Sequence, residues 1–455
     1  MKCIEDEIPF ELPEGWEWCR VRDIAAVKGG KRLPKGVGFS PCRTAHAYIR
    51  VTDMKNHCIN TDDLKYISEE VFLQIKNYTI SKDDLYVTIA GTIGVTGEVP
   101  TELDGMNLTE NAVKITNIQI NKNYLCLIIQ SEFVQQQFQD KTHQVAMPKL
   151  ALERILSTLI PVCTITTQSA MVSKFVEMDS LINQIREEKE ILAETVSLTK
   201  SKILDLAIRG KLVPQNPDDE PASVLLERIR AEKEELIKAG KIKRDKKESI
   251  IFKGDDNSYY EKVGVEIRCI DSEIPFEIPD GWMYERLGNI CSIARGGSPR
   301  PIENYLTDDE NGLNWIKIGD TEQGGKYIYS TKEKIRPEGL SKTRYVCSGD
   351  FLLTNSMSFG RPYILRTNGC IHDGWLVIGG IEIAFHQDYL YYMLSSSIMY
   401  NALSSLAVGS TVKNLKSDSV KSLLVPIPPL AEQACISRQI ENYFATMLPI
   451  ERSLS

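Results

Sequence analysis

Six cations, Lys28, Lys31, Arg32, Lys35, Arg43 and Arg50, follow one another with no Asp or Glu between Lys28 and Arg50. A stripe of this kind can neutralise phosphates, because each phosphate contact needs a Lys or Arg. Side chains suited to bond-making chemistry are sparse by comparison. The five histidines (His46, His57, His143, His372 and His386) show no H-E-x-x-H or other metal-ligand spacing. His372-Asp373 is the one tempting acid–base pair, and a core or surface histidine is the plainer reading of it. No G-x-x-x-x-G-K-[ST] phosphate loop and no G-x-G-x-x-G fingerprint occurs. The Asn/Asp-Pro-Pro-aromatic tetrapeptide that holds a flipped adenine is absent as well. These residues point to binding rather than catalysis, with no metal site and no catalytic group.

Composition sets the bounds. The chain has 455 residues, enough for about two to four domains. Hydrophobic residues make up 42% and charged residues 25%, so ordinary globular cores can form. Eleven scattered cysteines with no C-x-x-C pair read as reduced thiols of a cytoplasmic protein. No apolar run reaches membrane-spanning length, and Met1–Glu7 lacks the apolar centre of a secretory leader. A net charge of −8 argues mildly against nucleic acid, yet a local basic stripe can bind DNA while acidic surface faces elsewhere.

The elements that must position the stripe occur twice. Glu7-Ile8-Pro9-Phe10-Glu11-Leu12-Pro13-Glu14-Gly15-Trp16 returns as Glu273-Ile274-Pro275-Phe276-Glu277-Ile278-Pro279-Asp280-Gly281-Trp282. Further echoes run along both copies: Gly29-Gly30 with Gly296-Gly297, Tyr48–Asp53 with Trp315–Asp320, Asp84–Thr88 with Asp350–Thr354, and Leu159–Val162 with Leu424–Ile427. The offset stays between 265 and 267, so the copies share one fold while the segments between anchors diverge. Each copy reads as mixed α/β. Leu85–Ile89, Ala112–Ile115, Phe351–Thr354 and Trp375–Ile378 are strand-like. Tyr124–Gln130 and Tyr389–Ser395 fit either short helices or buried strands.

After Pro161 the apolar positions step by four and three: Met171, Phe175, Met178, Ile182, Ile185, Leu192, Val196, Ile203 and Leu206. That heptad predicts a helix from about Gln168 to Arg209, closed by Gly210. The second copy repeats the seam through Ile436, Ile440, Tyr443, Met447, Ile450 and Leu454, about half as far. Pro449 should kink or end that helix near Leu448. The two stripes need partners, and the most economical partner for each is the other. Between them lies a connector in which Pro221 suits a first helical position, Ala222–Ala239 form a charged helix, and Lys241–Lys247 a solvated basic loop. The resulting division is 1–165, 166–210 (spacer helix), 211–265 (connector), 266–430 and 431–455 (second, short spacer helix).

Three segments carry a resemblance to a known family. They are the Ile8–Trp16 and Ile274–Trp282 openings, the run Leu423–Gln433 leading into the second helix, and Lys202–Gln215 followed by Glu220–Ser223. On these the chain resembles the specificity subunit of type I restriction-modification enzymes over essentially its whole length. The resemblance implies an α/β (α+β) architecture, with two homologous mixed target recognition domains separated by long helices in an antiparallel coiled coil. Each domain would read one half of a split site in double-stranded DNA. Two methyltransferase (M) subunits and the restriction (R) subunits would be its partners, and S-adenosylmethionine, ATP and Mg would bind them rather than this chain. The sequence departs from the family pattern at Cys163–Gln168, where Pro-Pro-Leu-Ala-Glu-Gln is lost although Gln168 aligns with Gln433. A catalytic fusion and a scaffold that reads no DNA are the competing function classes.

Base edges in the major groove are read by Arg, Lys, Asn, Gln, Ser or Thr, with Lys and Arg holding the phosphates around them. In the first copy the residues of choice are Lys31, Arg32, Lys35 and Arg50, then Gly91 and Thr92 in the Ala90–Gly94 loop. In the second they are Arg295, Ser298, Arg300 and Lys317, then Asn355, Ser356 and Arg361, then Lys413 and Asn414. Gly29-Gly30 and Gly296-Gly297 could bring backbone amides to a phosphate or could simply turn the chain.

Overall fold

A computed structural model describes residues 7–140, 149–242, 244, 248–322, 324–356, 359–407 and 414–454. The chain divides into two compact units, 1–187 and 188–455. In the first unit, strands β1 (Ala26–Gly29), β2 (His46–Ile49), β3 (Leu85–Thr88), β4 (Met106–Leu108) and β5 (Ala112–Thr116) build two four-stranded sheets. One runs β1-β5-β3 and then Thr96–Glu98, all antiparallel. The other places β2 beside β4 in parallel, flanked by Lys65–Ile67 and Thr79–Ile80. Every residue of β3 is buried, and its alternation explains why. Leu85 and Val87 face a core with Val113, Ile115, Leu125 and Ile129, while Tyr86 faces Ala47, Ile49 and Leu108. A strand covered on both faces reads as a continuous apolar run.

The strand that follows the first repeated opening pairs with a later anchor at the unit's edge: Glu17–Arg20 lies antiparallel to Leu159–Val162. Helix α1 (Lys122–Gln130) packs nearby, and its cap Asn121 accepts hydrogen bonds from the amides of Asn123 and Tyr124. This resolves Tyr124–Gln130 as helical. Helix α2 then runs without a break from Ile165 to Ile208, 44 residues or about 66 Å. The unit boundary, between Glu187 and Glu188, falls inside it. Along its first half, Met171, Phe175, Met178, Ile182 and Ile185 are all exposed.

In the second unit the end of α2 is buried through Val196, Ile203, Leu204, Ala207 and Ile208. Gly210 stops it in the left-handed conformation, with the Lys211 amide donating to the Leu206 carbonyl, the bond of a Schellman cap. A side chain at 210 would also meet the ring of Pro279. Helix α3 (Ala222–Lys238) follows as expected, with Pro221 as its cap rather than its first turn. The sequence reading missed what comes next: a three-stranded meander of β6 (Ser249–Lys253), β7 (Tyr259–Val263) and β8 (Glu266–Cys269). The boundary expected at 265/266 therefore falls between two strands of one sheet. Glu261, on β7, takes ion pairs from Arg286 at 3.0 Å and Arg268 at 2.5 Å. Most of the Lys241–Lys247 run lies outside the described residues.

Further strands, in two sheets of five, repeat the core of the first unit: β9 (Ser292–Arg295), β10 (Leu313–Ile316), β11 (Phe351–Thr354), β12 (Gly369–Ile371) and β13 (Trp375–Gly379). Again β9-β13-β11 run antiparallel, β10 and β12 are parallel, and Met283–Arg286 pairs with Leu424–Ile427. Gln387–Ser395 forms α4, so this segment too is helical. Helix α5 spans Leu430–Leu454. Pro449, expected to kink or end the helix, does not end it. Proline removes one donor, the one that would serve the Ala445 carbonyl, so close to the helix end that a single turn remains beyond it. Lys200 of α2 pairs with Glu451 at 2.6 Å and lies over the Phe444 ring, while Ala193 and Val196 meet Leu454 across a shallow cavity. The helices thus run antiparallel, and the pairing covers only the last part of α2.

Gln168 and Gln433 do the same work in the two units. Each side-chain amide donates to a carbonyl five residues earlier, Cys163 or Pro428, and each accepts from a backbone amide at the start of α1 or α4, Asn121 or His386. Both are fully buried. The glutamine kept when the rest of the Pro-Pro-Leu-Ala-Glu-Gln form was lost is the one that locks helix to domain.

Candidate nucleic-acid interface

In each unit two loops hang on one tight turn. In the first unit the turn is Thr109–Asn111, between β4 and β5. The loop after β1 is fixed to it where the Gly30 amide donates to the Ala112 carbonyl and the Lys31 amide to the Leu108 carbonyl. The loop after β3 is fixed by the Ile89 and Ala90 amides, both donating to the Asn111 carbonyl. In the second unit the turn is His372–Gly374. Gly296 and Gly297 donate to the carbonyls of Trp375 and Ile371, and Asn355 donates to that of Gly374. Added side chains at Gly30 or Gly296 would strike the turn's own carbonyls, so the glycines exist for close approach. The amides of Gly30, Gly296 and Gly297 donate to the carbonyls of Ala112, Trp375 and Ile371, so these three make loop-to-turn contacts and are not open to a phosphate.

This frame brings most of the candidate residues together. Lys31, Arg32 and Lys35 are exposed in the first unit, as are Gly91 and Thr92 of the second loop. Lys31 lies over the Tyr78 ring, 5.4 Å from its centre. Arg32 Nε donates to Glu110 at 2.6 Å, and Glu110 also accepts from Thr109 at 3.0 Å. Burial raises the Glu110 carboxyl, but the hydrogen bonds from Arg32, its own backbone and Thr109 outweigh it and hold it below the ordinary value. In the second unit Asp373 gathers the set. Its carboxylate accepts from Ser298 at 2.8 Å and from Arg300 at 3.3 Å, and its carbonyl from Arg295 at 2.8 Å and Asn355 at 2.8 Å. Burial opposes ionisation of Asp373, yet Ser298, His372, Arg295 and Arg300 together lower its pKa. Arg361 is exposed across the loop from Ser356.

Other candidates are placed elsewhere. Arg50 is clamped by Asp53, and Lys317 is ion-paired to Glu333, so both hold their own domain together. Asn355 is fully buried and braces Asp373 instead of facing outward. Asn414 is half-buried, and Lys413 lies outside the described residues. His372 is a fold residue: its Nδ1 accepts from the Gly374 amide, and burial lowers its pKa. Two cations were missed. Lys149 donates to the Glu110 carbonyl at 3.3 Å, and Arg344 to the Arg295 carbonyl at 3.2 Å. Lys149 was legible in the repeat, since it lies 265 residues before the candidate Asn414, and the following Leu150 and Leu415 dock alike on the loops after β3 and β11. Among the described residues no cluster of potential metal ligands occurs, and no helix is long and apolar enough to cross a membrane.

Comparison with known proteins shows the same duplication. The family model described as "Type I restriction modification DNA specificity domain" matches residues 13–194 and 279–454. The specificity subunit of the type I restriction enzyme EcoEI of Escherichia coli is 24% identical, over 98% of this chain and 80% of its own length. That of EcoAI, also from E. coli, is 28% identical over 64% of this chain and 54% of its own length. Among solved structures, the HsdS subunit from Thermoanaerobacter tengcongensis superposes with a TM-score of 0.54 at 17% identity, covering 99% of this chain and 94% of that one. A chain from a study of complex assembly and conformational transition of the type I R-M system gives 0.60 at 16% identity, with 98% and 94% covered. With the duplicated match spanning most of its length, the chain belongs to the type I restriction-modification DNA specificity family.

Proposed function

We propose that this chain is the DNA-reading subunit of a type I restriction-modification complex, each unit reading one half of a bipartite duplex site. The observation that carries the reading is the repeated frame: two loops pinned to one turn, the first of them carrying exposed cations (Lys31, Arg32 and Lys35; Arg295 and Arg300), built twice on the same topology. Helices α2 and α5 act as the spacer that leaves the bases between the half-sites unread. The chain itself is non-catalytic. Methyl transfer from S-adenosylmethionine and ATP- and Mg-dependent cleavage belong to the two M subunits and the R subunits, which it positions on DNA in the cytoplasm.

The test is a genome-wide map of methylated adenines in cells expressing the chain with its M partner. A split motif with an unread centre is expected. A continuous motif, or methylation that does not depend on this chain, overturns the proposal.

A further inference from the structure

Glu110 and Asp373 occupy the same position of the same turn, each directly before the residue whose carbonyl anchors the second loop. Both face a guanidinium of the first loop, Arg32 or Arg300. The acid–base pair was not simply inherited in register. The loop-to-turn hydrogen bonds make Gly30 the counterpart of Gly296, one residue off the pairing of Gly29-Gly30 with Gly296-Gly297; counted so, Arg32 corresponds to Ser298, and Arg300 lies two residues further on. The arginine has moved and the acid has changed length, yet the pair persists where most neighbouring residues diverged. Stability gives no reason to keep it. The Arg32 and Arg300 side chains are 78% and 80% exposed, and exposed ion pairs contribute little.

The location supplies a reason. A carboxylate among cations on a DNA-facing loop weakens phosphate binding, because it cancels the charge that draws phosphate in. A guanidinium held by a carboxylate keeps a free edge of N–H donors in a fixed plane, matched to the O6 and N7 acceptors of guanine. In the first unit the bond is made through Nε, which leaves both terminal nitrogens free to pair with such an edge. We propose, resting on the DNA-reading function above, that Glu110 and Asp373 set specificity by positioning: each commits its arginine to a base edge and denies it to phosphate. The acidic residue of the turn thus trades affinity for discrimination in its own half-site.

The full chain assembled with its M partner is tested on a pool of random-sequence duplexes and on one fixed duplex lacking the enriched motif. E110Q is expected to bind the fixed duplex several-fold tighter. It is also expected to lose roughly tenfold of discrimination at one or two positions of a single half-site. D373N should do the same in the other half-site, and R32A should relax the positions that E110Q relaxes. An unchanged motif in E110Q and D373N, or a loss of binding that is equal on all sequences, overturns the proposal. Should E110Q fail to fold, R32K keeps the charge without the planar fork; relaxation at one position supports the inference and an intact motif sinks it. A wild-type complex that enriches no split motif would instead defeat the DNA-reading function itself, a result distinct from a split motif that the variants leave intact.

Discussion

Single side chains in this protein divide into those that hold a domain and those that face outward, and residue type alone does not separate them. Arg50 and Lys317 look as available in the sequence as Arg32 and Arg300, and all four meet a carboxylate, but the first two side chains are only 23% and 32% exposed against 78% and 80% for the others. Glu261 shows how strongly such pairing acts. Burial raises its carboxyl, but hydrogen bonds from Arg286, Ser249 and Arg268 outweigh it and bring the pKa to about 2. A depressed carboxylate adds stability that is fully present above its unfolded value near 4.5 and is lost as pH falls toward 2. Urea titrations across that range should show the second unit weakening, and E261Q should flatten this acid limb while lowering stability at neutral pH. An unchanged slope would remove Glu261 from the account. Trp282 offers a second case, its indole N–H donating to Glu432 at 2.8 Å. Trp282→Phe leaves that buried carboxylate short of a donor and should cost about 1–3 kcal/mol in denaturant unfolding.

Among the elements, periodicity was the legible part. The heptad predicted α2 within a few residues, and the apolar runs predicted β3, β5, β11 and β13. The meander β6–β8 went unread although its signals were present: Ile250-Ile251-Phe252, a Gly254–Asn257 turn, then Tyr259-Tyr260. They were hidden beside a charged helix that drew the whole segment into a connector. The turn carrying Glu110 and Asp373 was missed for a different reason. Loop-length differences drop the repeat offset there to 263, outside the constant offset that linked the other anchors. Burial also divides α2 in a way the heptad did not announce. Ile203→Ala should cost about 2–5 kcal/mol, whereas Ile182→Gln and Ile185→Gln should change stability by less than about 0.5 kcal/mol. Equal losses on thermal melting would mean that the first half of the stripe is covered. Gly210→Ala should cost more than about 1 kcal/mol, since it combines a left-handed backbone with a clash against Pro279.

At the scale of the whole molecule, the duplication makes readout separable. Lys35→Ala and Arg361→Ala should weaken binding alike on all sequences and lower the salt-dependence slope by roughly one each, as phosphate contacts do. Filter-binding titrations in rising salt check this, and a sequence-selective loss would reassign either residue to base reading. The turn that carries the loops also has an evolutionary consequence. The attachments that both units share are main-chain amides and carbonyls, so most substitutions in the loops leave them intact, and the constrained positions are the glycines at the point of closest approach and, in the second unit, the buried Asn355. A lineage can therefore rewrite the loop side chains, and with them the site that is methylated, without first passing through an unfolded intermediate.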